Sequence, residues 1–255
     1  MVHDLLRQPH TLEFHVLDIG QGDALLLRTP EQHNILVDGG PGNTVLTELS
    51  EVLPESFREI DLMILTHPHL DHMEGLISVL ERFDVNAVMM SAPSYDSLVY
   101  SAFLNAVEKE KCPVYFADDE TDFIFGALNL DVLYPFEAES NRYLENINNA
   151  SPVIKVDDWL LLTGDAEIEV EEELLAAGVD LNVDILKAGH HGSRTSSSWE
   201  FLNAVSPKLM LISAGHENSF GHPHIETLEK ASELDIEVWR TDLDGRLFYP
   251  LDLGP

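Results

Sequence analysis

Residues 66–72, with the sequence Thr-His-Pro-His-Leu-Asp-His, hold three imidazoles and one carboxylate in a very short segment. Side chains at positions i, i+2, i+4 and i+5 cannot share one face of a helix, so this spacing predicts a loop. Residues 61–66 form a short apolar run typical of a buried strand, and residues 73–83 carry apolar side chains at helical spacing. The polar cluster is therefore predicted at the C-terminal end of a strand, where open α/β sheets place their sites.

The side chains of this cluster are ligands that divalent metals prefer. Neutral imidazole and carboxylate suit Zn²⁺, with Mn²⁺ or Fe²⁺ as alternatives. No thiolate competes, because the only cysteine, Cys112, lies far from the cluster in the sequence. A solvated histidine-rich loop is the alternative explanation, but the density of imidazoles favours a metal-binding loop. The candidate ligands are His67, His69, Asp71 and His72.

Strand and helix patterns alternate along the chain and predict a mixed α/β protein. Each half begins with apolar runs that predict antiparallel strands, and each half ends in β-α alternation. No linker is evident, so we expect residues 1–255 to form a single domain. The predicted strands cover residues 12–17, 24–29, 34–38, 61–66, 87–90, 114–116, 124–133, 153–156, 159–162, 183–186, 209–212 and 236–239. The predicted helices cover residues 44–53, 73–83, 98–109, 166–177, 196–205 and 225–234, and residues 137–151 are predicted to form a loop.

Further ligand candidates follow predicted strands in the second half. Asp165 comes soon after the strand at residues 159–162, and His190 and His191 follow the strand at residues 183–186. On its own, Asp165 would more often be a helix cap, and acidic residues at this helix start also suit the helix dipole. Beside the cluster at residues 67–72 these side chains are better explained as ligands, because a metal centre needs ligands from elsewhere in the fold.

A last group of histidines occupies two short glycine-containing segments. His216 follows Gly215, and His222 and His224 belong to the Gly-His-Pro-His segment at residues 221–224. His216 and His224 are equally well explained as solvated loop or helix-cap residues. His222 is the stronger candidate for a role at the site.

The charge of the chain limits its partners. It carries 46 acidic residues against 14 basic ones, a formal net charge of −32 at pH 7. Such a surface repels phosphate backbones, because non-specific affinity for nucleic acid depends on lysine and arginine displacing counterions. Long DNA or RNA is therefore disfavoured as a partner. Adaptation to high salt is another explanation, because acidic surfaces keep proteins soluble where salt screens the field.

The hydropathy pattern predicts a chain without a membrane span, since no apolar run approaches the ~18 residues that a spanning helix needs. Residues 1–10 have no apolar stretch of signal-peptide character. The single cysteine excludes an internal disulfide and fits a reducing compartment. We therefore expect a cytoplasmic protein.

Several further short motifs stand in a fixed order along the chain. They are Asp-Ile-Gly-Gln-Gly-Asp-Ala at 18–24, Asp-Gly-Gly at 38–40, Asn-Asn-Ala-Ser at 148–151, Thr-Gly-Asp at 163–165, His-His-Gly-Ser-x-x-Ser-Ser at 190–197, Gly-His-Pro-His at 221–224 and Thr-Asp-Leu-Asp-Gly at 241–245. Together with residues 66–72, this ordered set resembles the metallo-β-lactamase superfamily over nearly the whole chain, and most of all the hydrolase domain of ComEC-type competence proteins. The resemblance implies an α/β fold of the αββα four-layer sandwich type, with a dinuclear metal site between the loops of the two sheets.

The resemblance also implies how the ligands divide between two Zn²⁺ ions. The implied ligands are His67 and His69 for the first metal, Asp71, His72 and His190 for the second, and Asp165 as the bridge. His191 is the less favoured of its pair. Many superfamily members give the first metal a third histidine, whereas here Asn148, or Asn149 beside it, stands in that region. An amide oxygen is a weak ligand, so the first metal is expected to bind less tightly, with a mononuclear site as the alternative.

Phosphodiester hydrolysis fits this ligand set best, since two adjacent metals activate water and stabilise both the attacking and the leaving oxygen. The catalytic candidates are Asp71, Asp165 and His222. His222 would donate a proton to the leaving oxygen or hold the developing anion. The expected substrate is a small or short phosphodiester. Hydrolysis of a carboxylic ester, lactone or thioester is the alternative, and a non-catalytic metal-containing regulatory module is the third hypothesis. The remaining candidate metal or substrate contacts are Asn148, Asn149, His191, Ser193, Arg194 and His224.

Overall fold

The structure of the protein is a computed structural model that describes residues 11–54, 57–138 and 140–251. The expectation that residues 1–10 carry no signal peptide lies outside the described residues. The first half contains, in chain order, β1 (Leu12–Val16), β2 (Leu25–Arg28), β3 (Asn34–Val37), α1 (Thr44–Val52), β4 (Glu59–Ile60), β5 (Leu62–Leu65), α2 (Leu70–Leu80), β6 (Asp84–Val85), β7 (Val88–Met90), α3 (Leu98–Glu110) and β8 (Val114–Phe116). The second half contains β9 (Phe123–Phe125), β10 (Leu128–Tyr134), β11 (Val153–Val156), β12 (Leu160–Leu162), α4 (Ile168–Ala177), β13 (Ile185–Lys187), α5 (Trp199–Val205), β14 (Leu209–Ile212), α6 (Ile225–Glu233), β15 (Glu237–Arg240), α7 (Thr241–Asp244) and β16 (Leu247–Leu251).

Two sheets of seven strands each form the centre of the structure. The first sheet has the order β16-β1-β2-β3-β5-β7-β8, and the second has the order β15-β14-β13-β12-β11-β10-β9. In the first sheet, β1 to β3 pair antiparallel and the following strands pair parallel. In the second sheet, β9 to β12 pair antiparallel and β12 to β15 pair parallel. This shared pattern confirms the prediction of two similar halves.

The apolar runs in the central strands are buried on both faces. In β12, Leu160 and Leu162 lie in the core between the sheets, whereas Leu161 packs against the helices of the second half. In β5, Ile64 lies between the sheets and Met63 packs against the helices of the first half. Successive side chains of a strand point to opposite faces, so a continuous apolar run needs cover on both. Each such leucine contributes roughly 1.5–3 kcal/mol when it is fully buried.

Three apolar cores separate four layers. The central core lies between the two sheets, and each outer core lies between one sheet and its helices, α1 to α3 or α4 to α6. This is the αββα four-layer sandwich predicted from the sequence. Both sheets contribute to the central core, and the single domain over residues 1–255 stays a prediction. Among the described helices, none combines the length and the hydropathy that a bilayer crossing requires.

One strand prediction is wrong and the edge strand β16 was not predicted, and both differences involve special residues. The run at residues 124–133 forms two strands, β9 and β10, because Gly126 adopts a φ of 63° and turns the chain into a hairpin. No strand was predicted at β16, where Pro250 interrupts the apolar pattern. Proline lacks the N–H that an inner strand must donate, but β16 is an edge strand of the first sheet and tolerates it.

The helix predicted at residues 196–205 begins at Trp199. The Ser198 hydroxyl accepts a hydrogen bond from the backbone N–H of Phe201 at 3.2 Å and is the N-cap. The Glu171 carboxylate of α4 accepts the backbone N–H groups of Ser197 and Ser198. Because the Glu171 carboxylate binds the backbone of Ser197 and Ser198, these residues lie outside the helix and α5 starts later.

Two glycines allow α2 to approach the turn after β3. The N–H of Gly75 donates to the carbonyl of Gly40 at 2.9 Å, and the N–H of Gly39 donates to the carbonyl of His72 at 2.7 Å. A Cβ atom on Gly75 would collide with the carbonyl oxygen of Gly39. This close approach places the first turn of α2 beside the turn after β3. Because α2 begins at Leu70, Asp71 and His72 lie in this helical turn, and the prediction of a loop through His72 with a helix from residue 73 is wrong.

Gly75→Ala is expected to lower the free energy of unfolding by about 1–3 kcal/mol, because the new methyl group forces α2 away from the turn. Chemical denaturation of the purified chain measures the effect. Ser78→Ala, in the same helix, is the matched control and is expected to stay within about 0.5 kcal/mol of the original chain. Equal stability of the two variants would contradict the close packing of Gly39 and Gly75.

Candidate metal centre

Side chains from both sheets meet at the C-terminal ends of four strands. Asp38 follows β3, and His67 follows β5 after one residue. Asp165 follows β12 in the second sheet, and His190 and His191 follow β13. The carboxyl ends of parallel strands lie at one edge of a sheet, where loops can present polar side chains without disturbing the core. The two halves of the sandwich therefore contribute to a single site.

Asp165 lies at the centre of this site and is 2% exposed. Its Oδ2 atom lies 3.6 Å from Nε2 of His67 and 3.9 Å from Nε2 of His190. Its Oδ1 atom lies 3.3 Å from Nε2 of His72 and 3.5 Å from Nε2 of His191. The two carboxylate oxygens therefore face two different pairs of imidazoles.

One more residue of the 67–72 segment joins each pair. His69 places its Nδ1 atom 3.0 Å from Nε2 of His67. The Oδ2 atom of Asp71 lies 3.4 Å from Nε2 of His191. The Nε2 atoms of His191 and His72 lie 3.3 Å apart. We name the two sets after the oxygens of Asp165. The Oδ2 group contains His67, His69, His190 and Oδ2 of Asp165, and the Oδ1 group contains Asp71, His72, His191 and Oδ1 of Asp165.

The donor atoms of both groups fit divalent cations. The Oδ1 atom of Asp165 is buried and has no hydrogen-bond partner among the described residues. Such an atom is costly to bury unless a cation or a donor satisfies it. In the Oδ1 group, ligand atoms of Asp71, His72 and His191 lie within 4.8 Å of one another. Those of His67, His72 and Asp165, which come from both groups, are equally close. Imidazole nitrogen and carboxylate oxygen are the ligands of catalytic zinc sites, so the residues fit the metal.

The pKa values of the imidazoles depend on Asp165. Burial, followed by the neighbouring His72, lowers the pKa of His67 well below its usual value. Burial also opposes protonation of His72, but Asp165 and Asp38 outweigh it and raise the pKa of His72 well above the usual value. Burial is likewise outweighed at His191, chiefly by Asp165, and its pKa rises to about 9. Because metal ligands must be deprotonated, a cation binding here would displace protons from His72 and His191.

Asp38 positions His72. Its Oδ2 atom lies 2.8 Å from Nδ1 of His72 and accepts the Thr66 hydroxyl at 2.7 Å, while its Oδ1 accepts the Thr66 N–H at 2.9 Å. A carboxylate on Nδ1 fixes the ring so that Nε2 faces the ligand position. The sequence showed Asp38 only as part of a motif, and its role was not predicted.

Asp23 and Lys187 form a buried ion pair behind His191. Nζ of Lys187 lies 2.7 Å from Oδ2 of Asp23, and Oδ1 of Asp23 lies 3.4 Å from Nδ1 of His191. That Nδ1 atom also lies 3.0 Å from the carbonyl oxygen of Ser213, to which it donates. Burial raises the pKa of Asp23, but Lys187 and His191 together outweigh burial and the pKa falls to about 2. Nδ1 of His191 is therefore bound by the protein, and Nε2 faces the Oδ1 group. The roles of Asp23 and Lys187 were not predicted from the sequence.

Glu167 supports the opposite side of the site. Its Oε1 atom lies 2.9 Å from Nδ1 of His190 and accepts Nδ2 of Asn148 at 2.9 Å, while Oε2 accepts Nδ2 of Asn146 at 3.0 Å. Asn149 does not contact the Glu167 carboxylate in this network, because its Oδ1 accepts the backbone N–H of Glu167 at 3.0 Å. An acidic residue at a helix start is usual, so the sequence contained no signal for this contact.

His222 lies beside the paired histidines. Its ring centroid is 5.2 Å from that of His190 and 6.0 Å from that of His191. Burial, followed by the neighbouring His191, lowers the pKa of His222 to about 4. The His222 imidazole is therefore neutral at neutral pH. It is near enough to contact a molecule bound at the ligand groups.

Three other candidates stabilise the loop after β13. Nδ1 of His224 accepts the backbone N–H of Arg194 at 3.0 Å, and the Arg194 guanidinium pairs with Glu226 at 3.2 Å. Oγ of Ser193 lies 3.0 Å from Oγ1 of Thr195. None of these contacts brings Ser193, Arg194 or His224 into the Oδ1 or Oδ2 group.

The structure distributes the adjacent histidines differently from the sequence-based expectation. The expectation assigned His190 to the second metal with Asp71 and His72, but these two residues lie with His191 in the Oδ1 group. His190 lies in the Oδ2 group, where its Nδ1 atom contacts Oε1 of Glu167 at 2.9 Å. The geometry therefore favours His191 at that position, and the ligand assignment as a whole stays a prediction.

The chain is similar to one described protein family and to two curated competence-related proteins. The family described as "Metallo-beta-lactamase superfamily" matches residues 17–133. The chain is 32% identical to competence protein ComA of Neisseria gonorrhoeae, over 94% of this chain and 32% of that protein. It is 29% identical to ComE operon protein 3 of Bacillus subtilis, over 93% of this chain and 33% of that protein. The chain thus spans about a third of the length of these curated relatives.

A solved structure has the same fold. The crystal structure of YhfI from Bacillus subtilis, described as a metallo-beta-lactamase fold protein, matches with a TM-score of 0.60. The match covers 94% of this chain and 99% of that protein at 13% sequence identity. A likeness at this level of identity concerns the fold alone.

Asp38→Asn is expected to weaken Zn²⁺ binding by about 10–100-fold, because an amide group cannot accept from Thr66 and His72 as the carboxylate does. Competition with a chromogenic chelator at neutral pH measures the affinity. Asp61→Asn is the matched control, since Asp61 also contacts a histidine, with Oδ1 2.9 Å from Nδ1 of His33, but lies outside both ligand groups. Unchanged zinc affinity in Asp38→Asn would contradict the positioning role.

Proposed function

We propose that this chain, which carries a metallo-β-lactamase domain and is related to ComEC-type competence proteins, is a metal-dependent hydrolase of phosphodiester bonds in small or short substrates. Zn²⁺ is the proposed cofactor, at two ions per chain, with Mn²⁺ or Fe²⁺ as alternatives. The fold supports the hydrolase class and divalent metal binding. The arrangement of ligands supports the choice of a phosphodiester.

The division of ligands at Asp165 is the observation that carries the proposal. One buried carboxylate faces two separate groups, each with three further side chains. Divalent cations held there would supply Lewis-acid activation of water and of the phosphate oxygens. In phosphodiester hydrolysis, negative charge lies on the attacking oxygen, on the phosphate oxygens and on the leaving oxygen. Two adjacent cations would stabilise this charge at both the attacking and the leaving oxygen.

Asp71 is proposed to orient the attacking water. Its side chain is 30% exposed, whereas that of Asp165 is 2% exposed, so water reaches Asp71 more readily. Burial raises the pKa of Asp71, but the hydrogen bond from His191 and the charge of His72 outweigh it and lower the pKa below its usual value. An ionised carboxylate accepts a hydrogen bond from water and directs its lone pair.

His222 is proposed to stabilise the charge that develops on the phosphate. With a pKa of about 4, its imidazole is neutral at neutral pH and donates a hydrogen bond from one ring nitrogen. Its Nδ1 atom is buried and lacks a hydrogen-bond partner among the described residues. Donors directed at a developing charge lower the barrier. The low pKa favours this role over proton transfer to the leaving oxygen.

The charge of the chain supports a small or short substrate. The formal net charge is −32 at pH 7, which repels a long polyanion. Many basic side chains already contact carboxylates and are less available to phosphates. These pairs are Arg28–Glu13, Lys187–Asp23, Arg194–Glu226, Lys208–Asp184, Arg240–Asp242 and Arg246–Glu48.

The curated relatives support the class of bond. One is named a competence protein and the other a ComE operon protein, and genetic competence concerns DNA, whose backbone is a phosphodiester. The chain spans about a third of their length, so the proposal takes from them the type of bond and not the activity of the whole protein.

At low salt, bis(p-nitrophenyl) phosphate and a short single strand are expected to be cleaved faster than long duplex DNA. Added NaCl should narrow the difference, because it screens the repulsion between the acidic surface and the duplex. The measurement is kcat/KM per phosphodiester bond over a range of ionic strength, with p-nitrophenyl acetate and a lactone as ester substrates.

Asp165→Asn, purified in the same way, is the control for contaminating nucleases and is expected to be inactive. Fast cleavage of duplex DNA that weakens as salt rises would reveal a basic track and contradict the size preference. Hydrolysis of the esters without cleavage of any phosphodiester would contradict the proposed reaction.

A further inference from the structure

We propose that the adjacent residues His190 and His191 bind different metal ions. His190 supplies the third nitrogen ligand of the first metal, with His67 and His69, and His191 belongs to the second metal. The proposal concerns the metal centre alone and holds for any substrate. From the sequence, Asn148 or Asn149 is expected in the region where many superfamily members give the first metal a third histidine. The proposal assigns that ligand to His190 instead.

The carboxylate of Asp165 separates the two histidines. The Oδ2 atom of Asp165 lies 3.9 Å from Nε2 of His190 and 3.6 Å from Nε2 of His67. The Oδ1 atom lies 3.5 Å from Nε2 of His191 and 3.3 Å from Nε2 of His72. A carboxylate that bridges two ions gives one oxygen to each. The side chains that share an oxygen are therefore candidates for the same ion.

Each of the two histidines has a partner on its Nδ1 atom. Glu167 contacts Nδ1 of His190 at 2.9 Å, and the carbonyl oxygen of Ser213 lies 3.0 Å from Nδ1 of His191. A metal-binding histidine almost always donates its second ring N–H to a carboxylate, a carbonyl or water. Both imidazoles are thus oriented with Nε2 towards Asp165, as ligands require.

Asn148 is the competing candidate for the first metal. Its Nδ2 atom donates to Glu167 at 2.9 Å, and its Oδ1 atom is buried without a hydrogen-bond partner among the described residues. An amide oxygen is a weaker ligand for Zn²⁺ than an imidazole nitrogen. The geometry therefore assigns the stronger ligand to His190.

The backbone explains how neighbouring side chains reach opposite oxygens. His190 has φ 47° and ψ 50°, and His191 has φ 54° and ψ 29°, so both residues are left-handed. This conformation is unfavourable for residues with a Cβ atom, and two in succession are unusual. The turn lies between Gly189 and Gly192, and a Cβ atom on Gly189 would press against the carbonyl oxygen of Ala166. Strain of this kind persists where the surrounding structure holds it, and it occurs often at functional sites.

Zinc stoichiometry of histidine variants tests the proposal. The metal-free full chain is equilibrated with Zn²⁺ by dialysis, and bound zinc is counted per chain. His190→Gly and His191→Gly suit the purpose, because glycine adopts the left-handed backbone readily. The original chain is expected to bind two ions and each glycine variant one. Asn148→Ala and His216→Ala, the latter at an exposed histidine outside both groups, are expected to keep two.

Double variants show which ion each histidine binds. His190→Gly combined with His67→Ala is expected to keep one ion, because both changes affect the same metal. His190→Gly combined with His72→Ala is expected to keep none. Two ions in His190→Gly, the loss of an ion in Asn148→Ala, or the reverse pattern in the double variants would overturn the proposal.

Glu167→Gln provides a measurement that keeps every ligand and does not rely on the glycine variants folding. It is expected to weaken one of the two Zn²⁺ sites by about 10–100-fold and to leave the other unchanged. Glu169→Gln, in the first turn of the same helix, is the matched control. Two unchanged sites, or equal weakening of both, would overturn the proposal. Because no substrate is involved, these outcomes are independent of the phosphodiesterase assay.

Discussion

The rest of the site depends on the buried carboxylate of Asp165 and the four imidazoles around it. A carboxylate that is 2% exposed needs positive charge nearby, because burial without compensation is very costly. Protons on His72 and His191 compensate it, as their raised pKa values show, and divalent cations would compensate it in their place. The two oxygens face different imidazoles, so one side chain organises two ligand groups.

The fold supplies this arrangement from its strand ends. Two similar halves place the C-terminal ends of their parallel strands at one edge of the sandwich, and each half provides part of each ligand group. Three further carboxylates support the ligands, and each contacts the Nδ1 atom of one imidazole. These contacts are Asp38 with His72, Asp23 with His191 and Glu167 with His190. The ligand atoms are therefore held in place by the protein, which limits the reorganisation that metal binding requires.

Much of this could be predicted from the sequence, because the relevant signals are local. A continuous apolar run such as Leu160–Leu162 predicts a strand covered on both faces, and the imidazoles at residues 67–72 predict ligands after such a strand. The predicted loop is correct only as far as His69, because Asp71 and His72 lie in α2. The division between His190 and His191 could not be predicted, since two left-handed residues in succession follow from tertiary contacts and leave no pattern in the sequence. The contact of Glu167 with His190 was hidden for the same reason. An acidic residue at a helix start already has an ordinary explanation.

Anomalous scattering from crystals of the full chain grown with Zn²⁺ tests the central claim most directly. Difference maps from data on the two sides of the zinc absorption edge locate each ion and show which side chains contact it. The account predicts two peaks beside Asp165, one at each carboxylate oxygen, with His190 at the Oδ2 peak and His191 at the Oδ1 peak. A single peak, or two peaks with His190 and His191 at the same ion, would contradict it.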